Sequence, residues 1–203
     1  MKVIPIVTGM IAENTYIVFQ DAGREAILID PGDDAQNIIE ALAENKLTPT
    51  HILLTHGHFD HVGAVEAIRE KYGAKVLIHK ADAELLARPN AGLFQRAGGG
   101  AAADELLEGG ETLQMAGLTV GVLHTPGHTG GCVCYRIGDV LFSGDTLFMQ
   151  SIGRTDFSES DPQAMRDSLE KLAKLEQDYT VMPGHGAATS LAEEKKYNPY
   201  LSM

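Results

Sequence analysis

Short apolar, β-branched runs separated by turn formers make up the first part of the chain. Lys2 to Thr8, Thr15 to Phe19 and Ala26 to Ile29 each read as a strand, with Asp21-Ala22-Gly23 as the turn between the last two. Asp30-Pro31-Gly32 stops the third strand. The period then changes: Ala35, Ile38, Ile39 and Leu42 follow the i, i+3, i+4, i+7 spacing of an amphipathic helix, with Asp33 or Asp34 as its cap. Thr48-Pro49 ends that unit, and Ile52 to Leu54 forms a short buried strand. Val62, Val65, Ile68 and Tyr72 mark the buried face of a helix closed by Gly73. A strand over Lys75 to His79 and a short helix over Ala81 to Ala87 follow.

Arg88 to Ala103 has neither period. Its Gly98-Gly99-Gly100 followed by three alanines suggests a mobile loop or flap, and it lacks the Gly-Lys-Ser/Thr of a phosphate cradle. Glu111 to Met115, Leu118 to His124, Cys132 to Ile137 and Val140 to Phe142 then read as four short strands. Asp161-Pro162 opens a helix whose stripe is Met165, Leu169, Leu172 and Leu175. Tyr179 to Met182 is the last strand and Leu191 to Lys196 a terminal helix. Strand-rich, then βαβα, then strand-rich again, then αβα is not a strict βαβ repeat. Two mixed sheets packed face to face, with helices outside, accommodate it: an α+β fold.

Composition narrows the partners. With 203 residues, 44% of them hydrophobic, one domain over residues 1–203 is expected. A net charge of −12, from 28 acidic and 16 basic residues, argues against nucleic acid and anionic membrane. Met1-Lys2-Val3-Ile4-Pro5 is not a secretory signal, and no stretch approaches the roughly 20 apolar residues of a membrane span. The expected location is the cytoplasm, and the oligomeric state stays open. Cys132 and Cys134 lie two apart in a strand-like run. They read as buried thiols in a reducing compartment, with a second metal site or redox pair as the alternative.

The chemistry concentrates in Thr55-His56-Gly57-His58-Phe59-Asp60-His61, which packs four metal-binding side chains between a strand end and a helix start. Three later turns each follow a strand end and each carry one further ligand: His128 in Thr125-Pro126-Gly127-His128-Thr129, Asp145 in Ser143-Gly144-Asp145-Thr146, and His185 in Pro183-Gly184-His185-Gly186. Seven ligands suit two ions rather than one. A divided set puts His56, His58 and His128 on one ion and Asp60, His61 and His185 on the other, with Asp145 bridging. Asp60 and Asp145 are the catalytic candidates, since they would flank a water whose pKa two cations lower. Ser143 lacks the elbow of a serine nucleophile, and neither cysteine has an obvious base. His51 and His79 are expected to make ordinary hydrogen bonds, and His124 belongs to its strand. Asp30 either orients a ligand imidazole or shapes its Asp-Pro-Gly turn; the two roles are compatible.

These motifs together resemble the metallo-β-lactamase-fold hydrolases. The resemblance implies an αββα sandwich with the metals at one edge of the sheets, and it implies the same ligand division. Within that superfamily the sequence is similar to glyoxalase II, the hydroxyacylglutathione hydrolases. The residues carrying that likeness are Asn14-Thr15-Tyr16, Gly153-Arg154-Thr155-Asp156-Phe157 and the ending Lys195-Lys196-Tyr197-Asn198-Pro199-Tyr200. It implies Arg154, Lys195 and Asn198 as substrate-binding residues. Longer members carry a C-terminal helical region, so the short, bacterial-type proteins are the better likeness.

The activity implied is cleavage of S-lactoylglutathione or a related acyl-thiol by a metal-bridging hydroxide. Two divalent ions are implied, zinc by expectation and iron or manganese as alternatives. The competing reading is a mononuclear iron persulfide dioxygenase on the same fold, with His56, His128 and Asp145 as its ligands. A lactamase and an RNA-processing enzyme are disfavoured by the missing export signal and the acidic balance. A closed structural zinc site is disfavoured by seven ligands with room for water.

Overall fold

The structure is a computed structural model and describes residues 1–88 and 100–201. Most of the loop expected over Arg88 to Ala103 therefore lies outside the described residues. Of its flank, Ala101 is buried in the core.

Strands β1 (Lys2–Thr8), β2 (Glu13–Phe19) and β3 (Glu25–Ile29) form an antiparallel meander. After helix α1 (Ala35–Glu44), strands β4 (Thr48–Leu53), β5 (Lys75–His79) and β6 (Glu105–Leu107) extend it in parallel. Helices α2 (Phe59–Val62), α3 (Val65–Tyr72) and α4 (Ala83–Ala87) lie in the connections. Strands β7 (Thr112–Met115), β8 (Leu118–His124), β9 (Val133–Ile137) and β10 (Val140–Gly144) belong to the second sheet. So do β13 (Thr180–Pro183) and β14 (Thr189–Ser190), giving the order β14-β13-β10-β9-β8-β7. A separate hairpin, β11 (Leu147–Phe148) with β12 (Ser151–Ile152), precedes α5 (Pro162–Ala173), and α6 (Leu191–Tyr197) comes last.

The strand period explains the layers. Along β2, Ile17 faces one way and Val18 the other, and both are fully buried. Val18, Ile27, Ile29 and Leu53 meet Val120, Val122, Tyr135 and Phe142 of the second sheet. Ile17, Leu28 and Ile52 pack on Ile38 and Leu42 of α1 and on Val65 and Ile68 of α3. On the far side Leu141 and Val181 pack on Met165, Leu169 and Leu172 of α5 and Leu191 of α6. Helix, sheet, sheet, helix is the arrangement expected from the sequence. Among the described residues, no helix is long and apolar enough to cross a membrane.

Three local expectations are corrected. Thr48-Pro49 begins β4 rather than ending the helical unit. The register with β3 slips there, pairing Ala26 with Pro49 and Ile27 with His51, so the proline's missing N–H falls at an irregularity of the ladder. The helix expected from Val62 to Tyr72 breaks into α2 and α3, because the amide of Ala64 bonds the carbonyl of Pro31 at 2.9 Å. Neither aspartate caps α1 with its side chain: Asp34 accepts from the amide of Gly9 and Asp33 from that of Asp34. Asp161 does cap α5, accepting from the amides of Gln163 and Ala164.

Candidate metal centre

Each ligand candidate leaves a strand end on one edge of the paired sheets. Asp30 follows β3, His56 to His61 follow β4, His128 joins β8 to β9, Asp145 follows β10, and His185 follows β13. Polar ties lock the two sheets together here. The Tyr16 hydroxyl donates to Pro183 O at 2.7 Å, and that of Tyr135 to Leu54 O at 2.8 Å. The amide of Val133 donates to Thr55 O at 2.9 Å. Asp82, buried in the turn after β5, binds both ligand loops. It accepts from the amide of Gly57 at 2.9 Å, and from the Thr129 hydroxyl and the Gly131 amide at 2.7 Å each.

The seven side chains come together. His56, His58 and His128 form one group and Asp60, His61 and His185 another, each with its donor atoms within 4.8 Å of one another. Asp145 stands between them: Oδ1 is 3.4 Å from His61 Nε2, and Oδ2 is 3.5 Å from His128 Nε2 and 3.8 Å from His185 Nε2. Asp60 Oδ2 is 3.1 Å from His185 Nε2 and 3.6 Å from His61 Nε2. His58 Nδ1 and His128 Nε2 are 2.9 Å apart.

Outer partners set the tautomers. His61 Nδ1 donates to Asp30 Oδ2 at 2.9 Å, and His128 Nδ1 to the carbonyl of Arg154 at 2.8 Å. His58 Nε2 donates to Glu159 at 3.0 Å. His56 Nδ1 is 3.1 Å from the Thr55 hydroxyl, which itself donates to Asp30 at 2.6 Å. In all four rings the remaining nitrogen is the one available to an ion. Asp30 thus touches a ligand imidazole, and at φ 47° it also makes the turn.

The donor set fits divalent cations. His56 Nε2, His61 Nε2 and Asp145 Oδ1 are buried with no hydrogen-bond partner, a costly state unless something else binds them. Ligand bonds of about 2.0–2.2 Å at a tetrahedral angle put donor atoms about 3.3–3.6 Å apart. The contacts at 3.4, 3.5 and 3.6 Å match that spacing and are long for hydrogen bonds. Burial and the neighbouring imidazoles hold His56 well below the usual histidine range, so it is neutral and ready to ligate. Burial likewise lowers His128.

Burial opposes the charge on Asp60, but the bond from His185 and the charge on His61 outweigh it and hold the carboxyl at about 2. Asp145 is also held low, against its burial, by His61 and His128. Burial opposes protonation of His61 too, yet Asp145 and Asp30 carry it well above its ordinary value. The carboxylates therefore draw positive charge to the centre.

Two substrate-binding expectations are corrected. Asn198 is fully buried, and its amide donates to the carbonyls of Phe148 and Ser151 and to Glu194, bracing the β11–β12 hairpin. The Lys195 ammonium donates to the carbonyl of Leu175. Arg154 is exposed beside the site, forked onto Asp156 and 4.5 Å over the Phe157 ring. Phe157 in turn stands edge-on to His58 and His128, at 5.5 and 5.6 Å.

Cys132 and Cys134 are free and buried. Burial pushes the first thiol well up and the second to about 11, so both are inert. The Ser143 hydroxyl donates to Leu147 O. His51 bonds Thr50, His79 bonds Ala81 and Glu108, and His124 bonds Gly130, as expected of residues outside the centre.

Sequence reasoning missed Glu13, Asp82 and Glu159. Glu13 is buried 3.8 Å from His61 Nδ1 and lies directly before the Asn14-Thr15-Tyr16 motif, which was a usable signal. Nothing local marks the other two.

The Metallo-beta-lactamase superfamily model matches residues 9–185. Hydroxyacylglutathione hydrolase GloC of Haemophilus influenzae is 33% identical over 211 residues, covering 100% of this chain and 98% of that protein. The crystal structure of BLEG-1 B3 metallo-beta-lactamase superposes with a TM-score of 0.93 at 38% identity, covering all of both chains. That of TTHA1623 in a di-iron-bound form gives a TM-score of 0.85 at 36% identity, over 98% of this chain and 100% of the other.

Proposed function

The chain belongs to the metallo-beta-lactamase superfamily, and from that premise we propose that it is a binuclear thioester hydrolase of the glyoxalase II kind. The observation that carries this reading is the set of buried donor atoms without partners, His56 Nε2, His61 Nε2 and Asp145 Oδ1, with Asp145 3.4 Å from His61, 3.5 Å from His128 and 3.8 Å from His185 of the two histidine groups. The likeness to the Haemophilus hydroxyacylglutathione hydrolase supports the substrate class.

His56, His58 and His128 would hold one divalent ion, Asp60, His61 and His185 the other, and Asp145 both. Bound there, such a pair lowers the pKa of water and polarises a carbonyl oxygen. The rest falls to the chain. Asp60, kept ionised at about 2, is a poor proton reservoir and serves to orient. Asp30, Glu159 and the carbonyl of Arg154 keep His61, His58 and His128 turned inward. A thiolate leaves with a pKa near 8.5 and needs no strong acid beside it. Ser143 and the two cysteines are not available as nucleophiles, since Ser143 is spent on Leu147 and the thiols are buried and protonated.

Zinc is the proposed metal. The similarity to a di-iron-bound structure makes iron the alternative metal, and the competing reaction is that of a mononuclear iron dioxygenase on His56, His128 and Asp145. Metal analysis paired with two assays separates them. Two ions per chain with oxygen-independent cleavage of S-lactoylglutathione is expected. One iron per chain with persulfide-dependent oxygen uptake would overturn the hydrolase.

A further inference from the structure

Large apolar side chains scattered singly over a surface need no explanation, and Met1, Val7, Leu106, Tyr197 and Tyr200 are of that kind, but Met10, Ile11, Met149 and Phe157 lie on three loops that adjoin ligands of the metal centre. The β1–β2 turn carries Met10 and Ile11, 80% and 46% exposed. It leads directly into Glu13, which bridges to His185, and Asn14 N donates to Gly184 O at 2.7 Å. The tip of the β11–β12 hairpin carries Met149, 50% exposed, beside Phe148, whose ring is 6.2 Å from that of His185. At the other histidine group Phe157 stands edge-on to His58 and His128.

These loops are fixed rather than loose. The hairpin is held by Asn198 on the carbonyls of Phe148 and Ser151 and by Glu194 on the amide of Gln150. The first turn is held by Asp34 on the amide of Gly9. Apolar side chains kept at a rigid, wet rim lower in free energy when something apolar covers them.

The charges nearby point the same way. Arg154 is already forked onto Asp156, and Lys195 is bonded to Leu175 O, so a carrier carboxylate would compete with partners already in place. Glu159 adds a carboxylate to the rim, and the whole chain carries a net charge of −12. A carrier carboxylate placed beside Glu159 would meet like charge here.

We infer that the mouth of the metal centre binds the apolar part of an uncharged thioester, between Phe157 on one side and Met10, Ile11, Phe148 and Met149 on the other. This rests on the thioester reading above and narrows its substrate class. Unlike a lactoyl-glutathione conjugate, such a substrate gains binding from each added methylene.

The test uses the metal-loaded protein with N-acetylcysteamine thioesters from acetyl to octanoyl, beside S-lactoylglutathione. Full burial of a methylene is worth about fourfold. At a half-open rim the expected rise in kcat/KM is about twofold per methylene, carried by KM, with the octanoyl thioester ahead of S-lactoylglutathione. Ile11→Asp with Met149→Asp removes that slope while bound metal stays constant. A flat series, or S-lactoylglutathione preferred to every neutral thioester, overturns the inference.

Binding of the uncleavable S-octyl and S-ethyl thioethers of N-acetylcysteamine, measured by calorimetry, separates this inference from the reaction itself. If no thioester is cleaved, the hydrolase reading falls alone provided the octyl compound binds at least tenfold tighter. Equal binding of the two overturns the inference as well.

Discussion

Asp145 is the side chain on which both ligand groups depend. Its Oδ1 faces His61 and its Oδ2 faces His128 and His185, so it reaches both groups at once. Asp145→Ala is expected to bring metal content from two ions per chain to below one, with circular dichroism unchanged; two ions retained at native affinity would show that it does not bridge. Glu159 acts one step further out. Without its oxygen, the Nε2–H of His58 loses the partner that fixes the ring, a loss that typically costs 10–100-fold in metal affinity. Glu159→Ala should therefore weaken the ion of the His56, His58 and His128 group by about that factor in a chelator competition, and leave the other ion in place. Equal weakening of both would assign the effect to folding. At this scale the clustered histidines and aspartates were legible, Asp30 behind His61 among them, and the other supports were not. Histidine and aspartate after Gly-containing turns announce themselves in the sequence. Asp82 and Glu159 are ordinary surface-type residues until the fold brings them to His58, Gly57 and Thr129, and Asn198 looked like a substrate contact only because a motif position says nothing about which way an amide faces.

Elements were legible in proportion to their length and periodicity. The β2 and β8 runs, the α1 stripe and the Asp161-Pro162 start of α5 all carry several residues of consistent pattern. Strands β6, β11, β12 and β14 have two or three residues each, too few for a local period to mark them, and β6 exists only through β5, far back along the chain. The break between α2 and α3 has the same origin, since it depends on the Pro31 carbonyl taking the amide of Ala64. The cap of α5 gives a prediction that belongs here. Asp161 accepts two first-turn amides, at 2.8 and 3.1 Å, and replacing such a cap by alanine typically costs about 1 kcal/mol. In a chain of this size Asp161→Ala should lower Tm by about 2–4 °C. It should also leave the metal content unaltered, because α5 packs on the outer face of the second sheet through Met165, Leu169 and Leu172. A change below 1 °C would mean that solvent serves those amides equally well.

Taken as a whole, the molecule is two sheets pinned at one edge by groups that repel one another when no cation is present. Asp30, Asp60 and Asp145 crowd around His61 beside Glu13, whose carboxyl is pushed by burial well above its ordinary value, and in this arrangement protons on His61 and His185 supply the opposing charge. The same side chains come from β2, β3, β10, β13 and the loop after β4, so an ion held among them also holds the two sheets together. Unfolding scatters these ligands over more than a hundred residues of chain, and the unfolded state then binds metal poorly. A ligand present at a thousand times its Kd stabilises the folded state by about 4 kcal/mol. With about 2–4 °C per kcal/mol for this size of chain, stripping even one ion should lower Tm by about 8–16 °C, and adding back stoichiometric zinc should restore it. The recovery should follow metal occupancy rather than ionic strength, since the cluster is buried and poorly screened. A chelated protein melting within 2 °C of the loaded one would mean that the edge is held by Asp82, Tyr16 and Tyr135 alone, and that the ions contribute chemistry without stability.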